Sequence, residues 1–216
     1  MATLGNLYMI PVPIAENAMH TLLIEVSDTC IKLRYFFVEN VREARRFLKL
    51  VDKTIDIDTL SFCETNRNST TDYTQLKVWL QSGYDVGVMS DAGCPGIADP
   101  GARVANVAQE IGARVIPLTG PSSIFLALMA SGFNGQSFAF NGYLPVKEPE
   151  RSKKIKALEA LAQQAHQTQI FIETPYRNNA LVTDLLRHCQ AQTKLCVGIN
   201  VTGADEKIIS KSIAEW

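Results

Sequence analysis

The residues best suited to chemistry lie in one run, Met89-Ser90-Asp91-Ala92-Gly93-Cys94-Pro95-Gly96-Ile97-Ala98-Asp99-Pro100-Gly101. Three glycines and two prolines crowd its second part, with Asp91 ahead of them and Asp99 among them. Glycine lets a backbone approach a ligand closely or take a positive φ, and proline fixes φ and removes a donor. A rigid loop that exposes its backbone suits one wall of a small-molecule site. Two shorter turns have the same character: Pro11-Val12-Pro13-Ile14 and Thr119-Gly120-Pro121-Ser122-Ser123. A fourth turn, Glu173-Thr174-Pro175-Tyr176-Arg177, pairs an acid with a base four residues on. Nucleotide fingerprints of the GxGxxG and GxxxxGK[ST] kinds are absent, as are HExxH and GxSxG. His20, His166 and His188 lie in or beside helical segments without metal-like spacing and read as solvated or cap-satisfied side chains.

These turns need a scaffold that brings them together. Apolar runs at 5–12, 32–39, 55–62, 86–89 and 114–118 read as strands. The segments between them read as helices at 15–26, after Asn40, after Asp72 and at 102–111. Asn40 is placed to cap its helix, with Glu43 at the third position and Val41, Ala44, Phe47, Leu48 and Val51 on one face. A polar loop spans 66–71. Strand and helix in alternation predict a parallel sheet, and in such a sheet the turns that follow strands share one edge. The three Gly/Pro turns therefore converge on one ligand.

The pattern changes near residue 118. We expect two α/β domains: 1–118 with a parallel sheet and 119–216 with a mixed sheet. The second is expected to hold helices at 124–131, up to 165 and at 178–189, strands at 137–144 and 169–173, and a hairpin around Gly203-Ala204-Asp205.

With 216 residues, 46% of them hydrophobic and 20% charged, the chain is long enough for that arrangement. A net charge of −1 excludes a polycation, so nucleic acid must meet a local basic face. Two such clusters exist, Lys32, Arg34, Arg42, Arg45 and Arg46, and Lys147, Arg151, Lys153, Lys154 and Lys156. Five cysteines, odd in number and with no CxxC pair, read as reduced thiols and argue against a zinc site. The apolar run 7–14 is short and holds Pro11 and Pro13, so it reads as neither signal peptide nor membrane span, and a cytoplasmic protein is expected.

The run Ser90 to Gly101 resembles the SDAGxPxxxDPG motif of the ribosomal RNA small subunit methyltransferase I family, within the tetrapyrrole methylase superfamily. Leu7-Tyr8-Met9-Ile10-Pro11-Val12-Pro13-Ile14 is similar to that family's opening strand and loop. Pro117-Leu118-Thr119-Gly120-Pro121-Ser122-Ser123, followed by Ala130-Ser131-Gly132, resembles its PLPGPSA…SG stretch. Phe140-Asn141-Gly142-Tyr143-Leu144-Pro145 resembles FxGFLP, and Glu173 to Arg177 resembles EsPhR. The matches keep their order from 7 to 177. The family's acidic EDTR segment is replaced here by Val38-Glu39-Asn40-Val41-Arg42, and Thr119 stands where proline is usual.

The resemblance implies a homodimer of the tetrapyrrole methylase type that binds S-adenosylmethionine (SAM) in a cleft between two α/β domains, without a metal. Pro13, Ile14, Asp91, Gly93, Cys94, Ile97, Ala98, Ser122 and Ser123 are then the donor-binding positions. Gly93, Cys94, Ile97 and Ala98 offer backbone and a small apolar wall. Ser122 and Ser123 offer hydroxyls and helix-start N–H groups to a carboxylate. Asp91 answers positive charge or caps its own loop. The implied acceptor is a ribose 2′-hydroxyl of small-subunit (16S) ribosomal RNA. Glu173 is the first candidate base and Asp99 the second, although a Glu173–Arg177 ion pair that only ties the turn together fits equally well. Arg42, Arg45, Arg46, Arg151 and Arg177 are the expected RNA contacts. The alternatives are a SAM-dependent methylase of a tetrapyrrole or modified protein residue, and a non-catalytic SAM- or RNA-binding module.

Overall fold

In the structure, a computed structural model that describes residues 3–65 and 72–216, the chain divides into two compact units, Met1–Ser122 and Ser123–Trp216. The polar loop expected at 66–71 lies outside the described residues.

The first unit is built on five short strands, β1 (Leu7–Met9), β2 (Tyr35–Val38), β3 (Ser61–Glu64), β4 (Val86–Met89) and β5 (Val115–Pro117). They form one sheet in the order β3-β2-β4-β1-β5, and every pairing is parallel. Leu7 stands opposite Val86 on one side and Val115 on the other. The helices are α1 (Ile24–Lys32), α2 (Val41–Val51), α3 (Thr74–Gln81) and α4 (Gly101–Glu110). The chain moves one way across the sheet from β1 to β3, then reverses. Parallel crossovers are right-handed, so the reversal sends α3 and α4 to the face opposite α1 and α2.

Two buried clusters follow from that reversal. One joins Ile10, Phe36, Val38 and Met89 to Val26, Cys30, Phe47 and Leu48 of α1 and α2. The other joins Leu7, Phe37, Val86 and Val88 to Leu76, Trp79, Leu80, Val104 and Ala108 of α3 and α4. Phe36 and Phe37 sit in different clusters because successive strand side chains point to opposite faces.

Local chemistry sets the helix starts. The Asn40 side chain accepts from the Arg42 N–H at 2.9 Å and the Glu43 N–H at 3.4 Å, as its sequence position predicts. The Glu64 carboxylate accepts from the Val41 N–H at 2.9 Å, which closes the α2 terminus further. The Asp72 carboxylate accepts from the Thr74 N–H at 2.8 Å and opens α3. Two expectations need correction. The helix expected at 15–26 is a 3-10 turn, Met19–Thr21, and α1 begins only at Ile24. Asn17 holds a φ of 57° and Leu23 is extended, so no continuous helix crosses them. The first half of the expected strand at 55–62 is a 3-10 turn, Ile57–Thr59, capped by the Asp56 side chain.

Cys30 lies 1% exposed on the inner face of α1, and burial pushes its thiol up from 9.0 to about 12. The folded state therefore keeps a proton that the unfolded chain releases above pH 9. That contribution is complete below pH 9 and is lost as pH rises toward 12, at about 1.4 kcal/mol per pH unit. Alkaline denaturation should be shallower in Cys30→Ala than in the parent. Equal slopes from pH 9 to 12 would refute this.

The second unit holds α5 (Ser123–Ser131), β6 (Phe138–Tyr143), α6 (Glu150–Gln164), β7 (Thr168–Ile172), α7 (Asn178–His188), β8 (Lys194–Ile199) and β9 (Lys207–Ser212). Among the described residues its strands form two separate pairs, β6–β7 parallel and β8–β9 antiparallel, where one mixed sheet was expected. α5 packs on both strands of the β8–β9 hairpin, and the Ser210 hydroxyl donates to the Ser131 carbonyl at 2.7 Å. The core of this unit is Leu144, Ile155, Leu158, Leu181 and Leu185, between α6 and α7. No helix among the described residues is long and apolar enough to cross a membrane.

Candidate active site

Three turns of the first unit meet beyond the C-terminal ends of β1, β4 and β5, three adjacent strands. The turn after β1 bonds to the long loop after β4: Val12 N–H donates to the Gly93 carbonyl at 2.9 Å, and Gly93 N–H returns to the Val12 carbonyl at 3.1 Å. The loop then bonds to the turn after β5. The Cys94 thiol lies 3.4 Å from the Pro121 carbonyl and 3.7 Å from that of Gly120. Burial raises the pKa of this thiol, so it keeps the proton it donates. The turns after β1 and β5 touch directly, since a Cβ on Gly120 would lie 2.1 Å from Pro11 Cβ. Sequence order alone predicts this convergence of three turns.

Gly93 occupies the centre. Its φ is +71°, a conformation that L side chains rarely adopt. A Cβ there would meet only the Pro121 carbonyl at 3.6 Å and Ile14 Cγ1 at 4.0 Å. The space is a cradle rather than a packed core. Around it Pro13, Ile14, Cys94 and Ser122 are half-buried, and Ile97 is 48% exposed. Ala98 holds a φ of 64°, a strained value for a residue with a Cβ. The buried Ser90 hydroxyl donates to the Ala92 carbonyl at 3.2 Å and fixes the loop start. Ser123 is half-buried and begins α5.

Glu39 is the residue that sequence reasoning passed over. It follows β2, next to β4 in the sheet, and its carboxylate accepts from the Asp91 N–H at 3.3 Å. An acid just after a strand beside the loop-bearing one was the available signal. Three acids thus belong to this edge, Glu39 at the loop and Asp91 and Asp99 within it. The Gly93 N–H is already committed to Val12. Acidic side chains and a committed amide disfavour a phosphate. Half-buried apolar side chains with carboxylates beside them suit a small cation that carries apolar parts, as SAM does.

The second unit holds Arg151, Glu173 and Arg177. Glu173, with its side chain 6% exposed, accepts through Oε1 from Arg177 Nε at 2.7 Å, Arg177 Nη2 at 2.6 Å and the Thr174 N–H at 2.7 Å. That oxygen is fully engaged by the turn. The tying role, one of the two readings open at the sequence level, describes it. Arg151 is turned inward: it pairs with Asp184, each side chain 14% exposed, and donates to the Val146 carbonyl at 3.0 Å. It is thereby corrected as an outward RNA contact. The same corner gathers Glu148, Asp184 and His188, with ligand-type atoms within 4.8 Å of one another. Arg42, Arg45 and Arg46 do face solvent on α2. Arg45, Arg46, Lys49, Leu50 and Ile57 line a groove there, and Arg45 lies 5.5 Å from the Phe62 ring centroid. A second pocket, lined by Tyr8, Lys32, Arg34, Tyr35, Tyr84 and Asp85, opens at the opposite, N-terminal edge of the sheet, away from the three turns.

No family model matches the chain. Curated proteins do. The chain is 30% identical over 211 residues to the ribosomal RNA small subunit methyltransferase I of Neisseria meningitidis serogroup B, spanning 98% of this chain and 69% of that protein. It is 29% identical over 212 residues to the protein of that name from Bacillus subtilis, with the same two shares. The Micromonospora olivasterospora protein is 32% identical over 211 residues, 64% of its length. Among solved structures, the methyltransferase CobJ superposes with a TM-score of 0.63 at 14% identity, over 98% of this chain and 88% of that one. A conserved hypothetical protein from Aeropyrum pernix K1, APE0931, gives 0.65 at 15% identity, over 98% and 79%. At such identities these two likenesses speak to the fold, which is of the tetrapyrrole methylase type.

Proposed function

We propose a function from one premise: the chain belongs to the ribosomal RNA small subunit methyltransferase I family. It is a SAM-dependent methyltransferase. Our reading is that it methylates a ribose 2′-hydroxyl of small-subunit ribosomal RNA, with the donor held at the three joined turns. The observation that carries the donor site is the bonded knot of Val12 with Gly93 and Cys94 with Pro121.

When bound, SAM supplies a methyl group on a positively charged sulfur that leaves readily. The chain's task is then chiefly to position the donor and acceptor in line. Gly93 leaves the room, Ile14 and Ile97 give apolar walls, and Asp91 and Glu39 answer positive charge. Ser122 and Ser123 are assigned to the carboxylate end. Wherever the reaction uses a base, Asp99 on the donor loop and Glu173 beside Arg177 are its two candidates.

Calorimetry with SAM tests the donor site; no heat at millimolar ligand would sink it. Radiolabelled methyl transfer to small ribosomal subunits, to bulk RNA and to a tetrapyrrole tests the acceptor. Label in ribosomal subunits supports our reading, and label in the tetrapyrrole alone would replace it.

For RNA we assign the α2 groove, where Arg45, Arg46 and Lys49 stand around Leu50. The double variant Arg45→Ala/Arg46→Ala should weaken RNA binding and lower the salt slope of log K by about 2. An unchanged slope would remove the groove from the interface.

A further inference from the structure

We propose that Tyr143, Arg177 and Tyr176 form a stacking platform for one unpaired base of the RNA substrate, an assignment that rests on the RNA reading above. Tyr143 ends β6, and Tyr176 lies in the 3-10 turn Pro175–Arg177 that follows β7. β6 and β7 are parallel neighbours, with Tyr143 opposite Ile172, so both tyrosines stand at the C-terminal edge of the pair. They are left in solvent, Tyr143 at 47% and Tyr176 at 83% exposure. Arg177 joins them: its guanidinium carbon is 5.9 Å from the Tyr143 ring centroid and 5.6 Å from that of Tyr176.

The guanidinium cannot swing freely. Glu173, buried at 6% side-chain exposure, holds both Nε and Nη2, and the Thr174 N–H fixes that same carboxylate oxygen. The result is three flat polar-edged groups on an exposed strand edge, the central one locked in place. Nucleobases stack on tyrosine rings and on arginine planes, and this recognition tolerates any base because every base has a π-face. A purely apolar protein partner would gain little from a cation set between two phenols. A phosphate would find the Arg177 charge already answered by Glu173. The burial of that pair separates the platform from the α2 groove, where Arg46 meets Glu43 only in an exposed pair: the platform should contribute affinity with little dependence on salt.

The test uses the full chain and a short single-stranded RNA carrying 2-aminopurine, whose fluorescence falls when the base stacks. Binding to the parent should quench it. Tyr176→Ala and Tyr143→Ala should each raise Kd about tenfold at every salt concentration, keep the salt slope and abolish the quenching. Tyr176→Phe should retain both affinity and quenching. Glu173→Gln, with Arg177 less firmly held, should lose part of the quenching. Unchanged Kd in both alanine variants would overturn the platform while RNA binding by the parent left the wider reading standing. A Phe variant as weak as the Ala variant would overturn it too, since the ring would not be the source of affinity. If Tyr143→Ala folds poorly by circular dichroism, the highly exposed Tyr176 decides alone. A parent that binds neither this RNA nor small ribosomal subunits would overturn the RNA reading and the platform with it.

Discussion

Gly120→Ala should raise the Kd for SAM at least tenfold and destabilise the protein by about 2–3 kcal/mol. The new Cβ would lie 2.1 Å from Pro11 Cβ and 2.4 Å from Pro11 Cγ, distances that real atoms do not show. Neither side yields easily, because the obstacle is a proline ring with a fixed φ rather than the end of a flexible side chain. The turns after β1 and β5 must part. The contact of Cys94 with the Pro121 carbonyl then lengthens, and the cradle at Gly93 loses a wall. Gly135→Ala makes the control, as a Cβ there meets nothing within 4 Å. Calorimetry and thermal unfolding on both variants check this. A Gly120→Ala protein that binds SAM as tightly as the parent would show that the knot is not the donor site.

The second large effect concerns Arg151 and Asp184, which join α6 to α7. Asp184→Ala should cost about 3 kcal/mol, read by urea denaturation. Among the described residues the guanidinium would keep its bond to the Val146 carbonyl and the more distant charge of Glu148, and its buried Nε has no hydrogen-bond partner to begin with. Both side chains are 14% exposed, so water does little to replace the lost carboxylate. The pair itself, against an apolar replacement, is close to neutral. Arg151→Met/Asp184→Leu should therefore recover most of the loss and fall within about 1 kcal/mol of the parent. If Asp184→Ala loses less than 1 kcal/mol, the pair is more hydrated than its burial indicates.

The joining of the three turns was the most legible part of the sequence. Turn residues act through their own backbone, so Gly93, Pro11, Pro13 and Gly120 announce a turn wherever they stand, and strand–helix alternation places three turns on one edge. The Asn40 cap was legible for the same reason, being an interaction within three residues. The side chains were less so. Whether Arg151 points to water or to Asp184 depends on α7, more than thirty positions away, and residues 147–156 read equally well as an outward basic face. For Glu173 the sequence shows Arg177 four residues on, but not the turn that aims the guanidinium and the Thr174 N–H at one carboxylate oxygen, so base and tie stood level there. Glu39 was missed because its role comes from the adjacency of β2 and β4, a fact of strand order. The false helix at 15–26 shows the opposite failure. Apolar spacing there is loose enough to fit either state, and Asn17 in a left-handed conformation decided it.

The strand order also governs how the first unit is made. β1 sits between β4 and β5 and pairs with nothing else, Leu7 facing Val86 and Val115. During synthesis this apolar strand emerges ahead of the other four strands of its sheet and must wait for both neighbours, β4 and β5. Until β4 has left the ribosome β1 has both edges open, and until β5 follows one of them stays open. Such non-local closure is slow, and the waiting edges invite the wrong partner. Refolding yield should thus depend more on protein concentration than the finished fold suggests, and β1 is the segment that a chaperone would guard longest.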